Sequence, residues 1–381
     1  MKLFNNKSIR DIFKIGSGNI VGNIISSLYW IFLAGLIGAE NYGILSYFLA
    51  IIGISTVVTM FGGQNTMQVY TAKNESVESS LYLISLISGF SFSIVLLLIL
   101  ENPGISISIL GFTIMNFYFS ELIGKKLFSQ YSILYLLQKI SFVISSLILY
   151  WMIGFDGILI GYGLSSLIFV KHIYKIFSKK EFNFQLIRKK KKILLSNYFS
   201  ELTATGRNHI DKLIILPLFG SATLGNYFLS LQFFALMIIV PGIIEKFIIS
   251  QDSRGISSKR IKILTIVFSI IVSIFGIIIG PEIIPQLFPQ FIIAKSLIPI
   301  ISLAIVPRTV SIIISSHLIS NEKNYHVAIG NLLTFVALII GILIQYENFN
   351  EMGLAYAFSF AMILNSIYLI LFKNSNFKKI F

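Results

Sequence analysis

The chain is dominated by apolar windows of about twenty residues that carry almost no charge. Runs such as SLYLISLISGFSFSIVLLLIL (80–100) lack the alternation of apolar and polar residues that marks a membrane β-barrel. A helix of about 20 residues crosses a hydrocarbon core of about 30 Å with its backbone groups paired internally. We predict twelve such helices, over residues 12–37, 41–63, 80–100, 104–123, 131–153, 156–178, 196–220, 223–248, 261–280, 296–316, 325–346 and 351–372.

Basic residues concentrate in alternate loops of this arrangement. The basic loops lie at 2–14, 73, 125–126, 179–192, 254–260, 323 and 373–379, whereas the intervening loops hold Glu40, Glu101, Asp156, Glu282, Glu347 and Glu351 with one base, Lys295. Because basic loops stay in the cytoplasm, both termini are expected there, and the chain is expected to be a multi-pass protein of the plasma (inner) membrane. The net charge of +14 therefore reflects topology and does not indicate a nucleic-acid partner.

Composition supports an all-α integral membrane protein. Hydrophobic residues make up 55% of the chain and charged residues 12%, against about 25% charged in soluble domains. The absence of cysteine excludes disulfides and thiolate chemistry, and the four histidines have no metal-ligand spacing, so we expect no cofactor and no metal. The N-terminus lacks the small-residue cleavage site of a signal peptide and is interpreted as leading into a retained first span.

An internal repeat divides the chain at a basic linker, residues 179–195. Six predicted spans precede the linker and six follow it. LIGAENYG (36–43) resembles LFGSATLG (218–225), 182 residues later, and GYGLSSLI (161–168) resembles AYAFSFAMI (355–363). We predict two parallel six-helix bundles, 1–178 and 196–381, around a central cleft, with alternating access by rocking of the bundles. The linker run RKKKK (188–192) either is solvated or also contacts anionic headgroups.

Span seven is unusually polar, because it contains Arg207, His209, Asp211 and Lys212. Asp211 precedes Gly220 by nine residues, which places it roughly 13 Å from the outer end of the helix. A charge at that depth costs at least ~2.5–3.5 kcal/mol and normally faces a bundle interior or a water-filled cavity. We therefore expect this helix to line a cleft.

Helical spacing groups these residues into rows. Thr203, Arg207 and Asp211 share one face, and Arg207 can pair with Asp211 at i, i+4, while Asn208 and Lys212 form a neighbouring row. Two interpretations stay open: a structural Arg–Asp pair that joins two helices, or a role of at least one of these charges in the cleft.

The equivalent positions of span one are neutral. This span has a polar stripe of Asn19, Asn23, Ser26 or Ser27 and then Trp30, so the cleft should be charged on the second half alone. Arg308, which follows Pro307 in span ten, is the second candidate cation of that half. Near the membrane surfaces we expect Lys139 and Lys246 to extend toward the interface, and Glu121 and Glu245 to lie at the inner ends of their spans.

Three stretches carry a resemblance to a known family: LIGAENYGILSYFLAI (36–51), IDKLIILPLFGSATLGNYFLSLQF (210–233) and NEMGLAYAFSFAMILNSIYLI (350–370). With them the chain resembles the O-antigen and capsule repeat-unit flippases of the multidrug/oligosaccharidyl-lipid/polysaccharide exporter superfamily, over nearly its whole length. The resemblance implies a flippase that moves an undecaprenyl-pyrophosphate-linked oligosaccharide from the cytoplasmic to the outer face for O-antigen (lipopolysaccharide), capsule or exopolysaccharide synthesis. It also implies a polysaccharide polymerase and a chain-length regulator as partners, beside membrane lipids.

Site residues follow from this cargo. Arg207, Lys212 and Arg308 are the expected contacts of the anionic pyrophosphate, because guanidinium groups pair with phosphate in bidentate fashion. Trp30 and Tyr29 are expected to contact the sugars, and Asn208 and Asn23 are expected substrate-binding residues of the cleft. Asp211 and His209 are candidates for ion coupling or charge pairing.

Three other functions compete with this interpretation. A multidrug or small-molecule antiporter of the same superfamily typically needs an acidic residue in the first half's cleft, which span one lacks. A membrane polysaccharide polymerase or ligase usually places catalytic residues on a long outer loop, and the longest here, PEIIPQLFPQFIIAK (281–295), holds one acid and one base. A purely structural membrane protein has little reason to keep costly charges at mid-membrane.

Overall fold

A computed structural model describes residues 6–75, 77–178, 182–252, 259–320, 324–347 and 350–373. Within these ranges the regular structure is entirely helical. The helices are α1 (Asn6–Met60), α2 (Gly63–Ala72), α3 (Glu78–Leu100), α4 (Pro103–Gly124), α5 (Phe128–Ile153), α6 (Phe155–Leu164), α7 (Val170–Ser178), α8 (Phe184–Lys189), α9 (Lys191–Phe219), α10 (Ser221–Met237), α11 (Ile239–Asp252), α12 (Lys259–Leu287), α13 (Ala294–Ser302), α14 (Ile305–Ser320), α15 (Asn324–Glu347) and α16 (Glu351–Lys373), with a 3-10 turn at Leu167–Phe169.

Each of the twelve predicted spans falls on one helix or on consecutive helices. In the described residues eight helices are long and apolar enough to cross a membrane, and the number rises to ten if two bent pairs each count as one span. The bent pairs are α10 with α11, at 49°, and α13 with α14, at 41°. Helix α1 covers the first two predicted spans, and α9, 29 residues long, falls outside this count because its polar positions lower its hydropathy. The chain is thus an all-α, multi-pass membrane protein.

Local sequence explains several helix ends. Helix α4 begins with Asn102, whose side chain accepts hydrogen bonds from the backbone N–H groups of Gly104 (3.0 Å) and Ile105 (3.4 Å), and Pro103 occupies its first turn. Helix α2 and the short α8 were not predicted, because neither forms an apolar window of membrane length.

Two glycines interrupt the helices at equivalent points of the sequence repeat. Gly38 has φ 75° and ψ 172°, and Gly220 has φ 87° and ψ 170°. This region of backbone conformation is accessible essentially to glycine alone. The two residues lie 182 positions apart, which is the offset that relates LIGAENYG to LFGSATLG.

The helices that follow these glycines meet in a reciprocal contact, here termed the glycine crossing (Ala39–Gly43 with Ser221–Gly225). A Cβ atom added to Gly43 would overlap the Ser221 carbonyl oxygen, and one added to Gly225 would overlap the Ala39 carbonyl oxygen. Ala39 and Ser221 are themselves 182 residues apart, as are Gly43 and Gly225. The contact therefore has the form of a two-fold, self-complementary interface.

By its internal contacts the chain divides into two compact units. Unit 1 comprises Met1–Ser26 and Phe48–Thr205, and unit 2 comprises Ser27–Tyr47 and Gly206–Phe381. The division differs from the predicted bundle boundaries, because 27–47 groups with unit 2 while the linker and the start of α9 group with unit 1. Helix α9 thus contributes to both units.

Each unit has its own apolar core. In unit 1, Met60, Met67, Tyr70, Tyr82 and Phe117 pack together at the junction of α1, α2, α3 and α4. In unit 2 a larger cluster joins α9, α10, α13, α15 and α16. It contains Ile215, Leu224, Tyr227, Leu297, Ile301, Leu338, Ile342, Leu354 and Phe358. These cores fix the helices that carry the charged residues.

Candidate functional site

The charged residues of α9 begin with a buried ion pair between chain neighbours. The Lys212 Nζ lies 2.9 Å from Asp211 Oδ1 and 3.1 Å from Oδ2. Asp211 is 2% exposed and Lys212 6%, and Tyr227 of α10 donates its hydroxyl to Asp211 Oδ2 at 3.1 Å. Lys212 also donates to the Asn208 carbonyl oxygen at 2.7 Å. The pair neutralises itself inside unit 2, so Lys212 is not available as the predicted phosphate contact in this arrangement.

Arg207 does not pair with Asp211 in this arrangement, so the Arg–Asp pair, one of the two interpretations left open above, is not the contact observed. Its Nη1 donates to Oδ1 of Asn331 in α15, and its Nε donates to Oδ1 of Asn208 at 3.4 Å. The i, i+4 spacing permits an Arg207–Asp211 pair, but both carboxylate oxygens of Asp211 already accept hydrogen bonds from the adjacent Lys212. Since its hydrogen-bond acceptors are neutral amides, these contacts do not compensate the charge of Arg207.

Arg308 of α14 adds a second guanidinium close to the first. Arg207 and Arg308 lie within electrostatic range of each other and of Glu245 in α11. Within the described chain, no side-chain hydrogen bond involves the half-buried Arg308. This cationic cluster, defined as Arg207, Arg308 and Glu245, contains two cations and one carboxylate. Two planar groups with unused N–H donors can bind an anion that has several oxygens.

The remaining predicted residues of α9 flank the cluster. Asn208 is exposed, and its side-chain oxygen accepts from Arg207. His209 is half-buried and lies within electrostatic range of Asp211 and Lys212. Gly206 packs against the ring of Phe335 in α15.

The predicted residues of span one fall into different units. In unit 1, Asn23 accepts a hydrogen bond from the Tyr135 hydroxyl at 2.7 Å, and Asn19 accepts one from Tyr131 at 3.0 Å. The Lys139 Nζ lies 5.2 Å from the ring centroid of Tyr135, which precedes Lys139 by one helical turn in α5. In unit 2, Trp30 is half-buried beside Tyr29, with ring centroids 5.7 Å apart.

Two residues of the site were missed by sequence reasoning, Asn331 and Tyr227. Both are uncharged residues within apolar windows, and only their contacts with Arg207 and Asp211 give them a role. Asn331 could have been found from its position inside a predicted span, because a side-chain amide in the hydrocarbon core needs a hydrogen-bond partner within the protein. Lys246 was predicted to extend toward the interface, and its side chain lies outside the described part of the structure.

Glu121 forms a separate polar network in unit 1. It pairs with Lys125 and, at 2.6 Å, with Nε2 of His172, which stacks on Tyr118 at 3.7 Å between ring centroids. Because both carboxylate oxygens have partners, this network holds α4 against α7. No group of three or more His, Asp or Glu side chains in the described ranges is arranged to hold a metal ion.

Comparison with known proteins identifies the fold. No protein-family profile and no curated protein sequence matches the chain. Among solved structures, the lipid II flippase MurJ in an inward closed conformation aligns with a TM-score of 0.79 at 15% identity, covering 94% of this chain and 87% of MurJ. An inward-facing multidrug resistance MATE family transporter of the MOP superfamily aligns at 0.73 and 13% identity, covering 93% and 94%.

A third similar structure is a MOP superfamily transporter from Pyrococcus furiosus, whose binding pocket is described as having reverse polarity. It aligns with a TM-score of 0.60 at 12% identity, covering 96% of this chain and 95% of its own. The chain therefore shares the fold of these three transporters, and that shared fold agrees with the fold that the resemblance of its glycine motifs implied. Identities of 12–15% mean that the shared property is the fold itself.

Proposed function

We propose that this chain is a flippase for polyprenyl-pyrophosphate-linked oligosaccharide units, which it moves from the cytoplasmic to the outer face of the plasma (inner) membrane by alternating access. Both termini are cytoplasmic in this proposal, and the product enters O-antigen, capsule or exopolysaccharide synthesis. The observation that carries it is the juxtaposition of Arg207 and Arg308 in unit 2. The lipid II flippase with the same fold handles a lipid-linked precursor, which supports the class of cargo.

The chemistry of the cluster favours an anionic cargo. Arg207 and Arg308 repel each other, the single carboxylate of Glu245 offsets only part of their two positive charges, and an anion between them relieves the remaining repulsion. Neutral Asn331 orients Arg207 without cancelling its charge, so the group remains able to meet a phosphate. Planar guanidinium donors match the oxygens of a pyrophosphate in bidentate geometry.

Asp211 and Lys212 take a supporting role in this proposal. Their mutual pairing removes the carboxylate that a cationic drug would need at this position, which weighs against the multidrug antiporter. The hydrogen bond from Tyr227 to Asp211 fixes the middle of α9 against α10, and so fixes the position of Arg207 one turn away on α9. Trp30 stays the proposed sugar contact, and Asn208 and Asn23 stay proposed substrate-binding residues of their own units.

Charge removal at the cluster tests the cargo. Arg207→Ala and Arg308→Ala should each reduce surface polysaccharide at least about tenfold, because each removes charge-assisted hydrogen bonds worth about 1.5–3 kcal/mol. Surface polysaccharide is measured at matched protein level in the membrane. Arg188→Ala, which removes the same side chain from an exposed linker position, is the control and should export normally. Full export by both cluster variants would refute the anion-binding role.

A further inference from the structure

The start of α9 packs closely on the corner between α1 and α2, a contact here termed the α2–α9 crossing (Gly62–Thr66 with Leu194–Glu201). Gly62 adopts a left-handed conformation with φ 72°, and a Cβ added there would overlap the backbone of Leu194 and Tyr198. The Asn197 side chain donates to the Thr66 hydroxyl oxygen at 3.0 Å. Both partners belong to unit 1.

A carboxyl group lies inside this crossing. Glu201 is 9% exposed, and its Oε1 accepts the backbone N–H of Asn65, in the first turn of α2, at 2.9 Å. Its Oε2 is buried and has no hydrogen-bond partner. Glu201 was not predicted as a site residue, because it lies close to the inner end of predicted span seven. Near the membrane surface a charged side chain costs little free energy, so an acid there gives no signal in the sequence.

None of the ion pairs among the described residues involves Glu201. Helix α2 (GQNTMQVYTA) and the end of α1 (FLAIIGISTVVTM, 48–60) contain no charged residue at all. Lys73 and Lys190 each lie 5.5 Å from the centroid of the Tyr70 ring, and Tyr198 is the other titratable group of the crossing. Lys191 and Lys192 begin α9, roughly 13–15 Å along the helix from Glu201.

The two protonation states of Glu201 therefore differ in how well they fit the closed crossing. The start of α2 offers one N–H to an anion, which satisfies one carboxylate oxygen. The second oxygen of an ionised carboxylate would remain desolvated and unpaired, which is strongly unfavourable. A neutral carboxylic acid has the same shape without the buried charge, so the closed crossing favours the acid form.

We propose that Glu201 is a proton-binding site that controls the α2–α9 crossing. The crossing is closed when the carboxyl group holds a proton. It opens when the proton passes to water and the resulting carboxylate becomes hydrated. The mechanism concerns this contact alone and holds whatever the cargo is, so it can fail independently of the flippase proposal.

The chain has no cysteine, which permits a clean distance measurement. Spin labels are attached to Val69→Cys on α2 and Leu195→Cys on α9, both exposed positions, and their distance is measured by pulsed electron paramagnetic resonance in lipid nanodiscs. With Glu201 intact, a longer-distance population should grow by up to about tenfold per pH unit over part of the range from about pH 5 to about pH 9. In Glu201→Gln, an uncharged isostere of the acid form, the short distance should persist throughout.

Glu78→Gln provides the matched control, since Glu78 is a less buried carboxylate on α3 that lies 3.9 Å from Lys125. The control should respond to pH like the unmodified chain. An unchanged distance across the range with Glu201 intact, or an equal pH response in Glu201→Gln, would overturn the proposal. If Glu201→Gln does not fold, the infrared carbonyl band of a protonated carboxyl decides: a band that titrates as the crossing opens supports the proposal, and its absence at acidic pH contradicts it.

Discussion

At the scale of single residues, the structure shows that Asp211 forms its ion pair with Lys212 and not with Arg207. Sequence spacing offered Arg207 as its partner, but Lys212 holds both carboxylate oxygens and Tyr227 holds one of them as well. Spacing along a helix states which side chains can meet, whereas the choice among them depends on neighbouring helices. Asn331 could not be foreseen as the acceptor of Arg207, because its position relative to α9 is a property of the tertiary packing.

The Asp211–Lys212 pair is expected to stabilise unit 2 as a unit. Asp211→Asn leaves the Lys212 ammonium buried without its counter-charge, which should lower the free energy of unfolding by about 3–5 kcal/mol. Neutralising both residues, with Asp211→Asn and Lys212→Met, should recover most of that loss. Thermal unfolding of the purified protein in detergent measures both effects.

Arg207→Ala supplies the comparison for this prediction. Its guanidinium is bound to neutral amides, and Arg308 stays near Glu245 when Arg207 is removed, so Arg207→Ala should change stability far less than Asp211→Asn does. A double variant that is no more stable than Asp211→Asn alone would contradict the structural role of the pair.

At the scale of helices, the sequence repeat has a backbone counterpart. The glycines at 38 and 220 break their helices in the same conformation, and the segments behind them cross reciprocally. The motif match alone suggested equivalent loops. It could not show that the two copies contact each other, because contacts between distant segments leave no periodic trace in the sequence.

Because the two backbones approach closely at the glycine crossing, adding a single methyl group there should lower the stability of the folded chain. Gly43→Ala and Gly225→Ala each place a Cβ against the backbone of the opposite helix, which should destabilise the folded chain by about 1–3 kcal/mol. Gly35→Ala is the control on the same segment, because its Cβ would meet the Phe288 ring at an ordinary 3.6 Å. Thermal unfolding in one detergent compares the three variants, and equal stability of all three would be inconsistent with the crossing.

At the scale of the whole molecule, apolar patterning was enough to locate the helices. All twelve predicted spans coincide with helices, since apolar length is imposed by the bilayer and is visible in one sequence. The bends at α10–α11 and α13–α14, the helix α2 and the division of α9 between two units were not visible. Each depends on packing between helices. The chain and MurJ share a fold at a TM-score of 0.79 with only 15% identity, which agrees with a fold that depends on the pattern of apolar positions more than on particular residues.

Transport of a lipid-linked oligosaccharide is tested most directly by depleting the protein in its host cell and analysing polyprenol-linked sugars on each face of the membrane. We expect one complete oligosaccharide unit to accumulate on its carrier at the cytoplasmic face, while the outer face loses it. Restoring the unmodified chain should clear this pool, and restoring Arg207→Ala should not. Accumulation of the unit at the outer face, or no accumulation at either face, would contradict the flippase function.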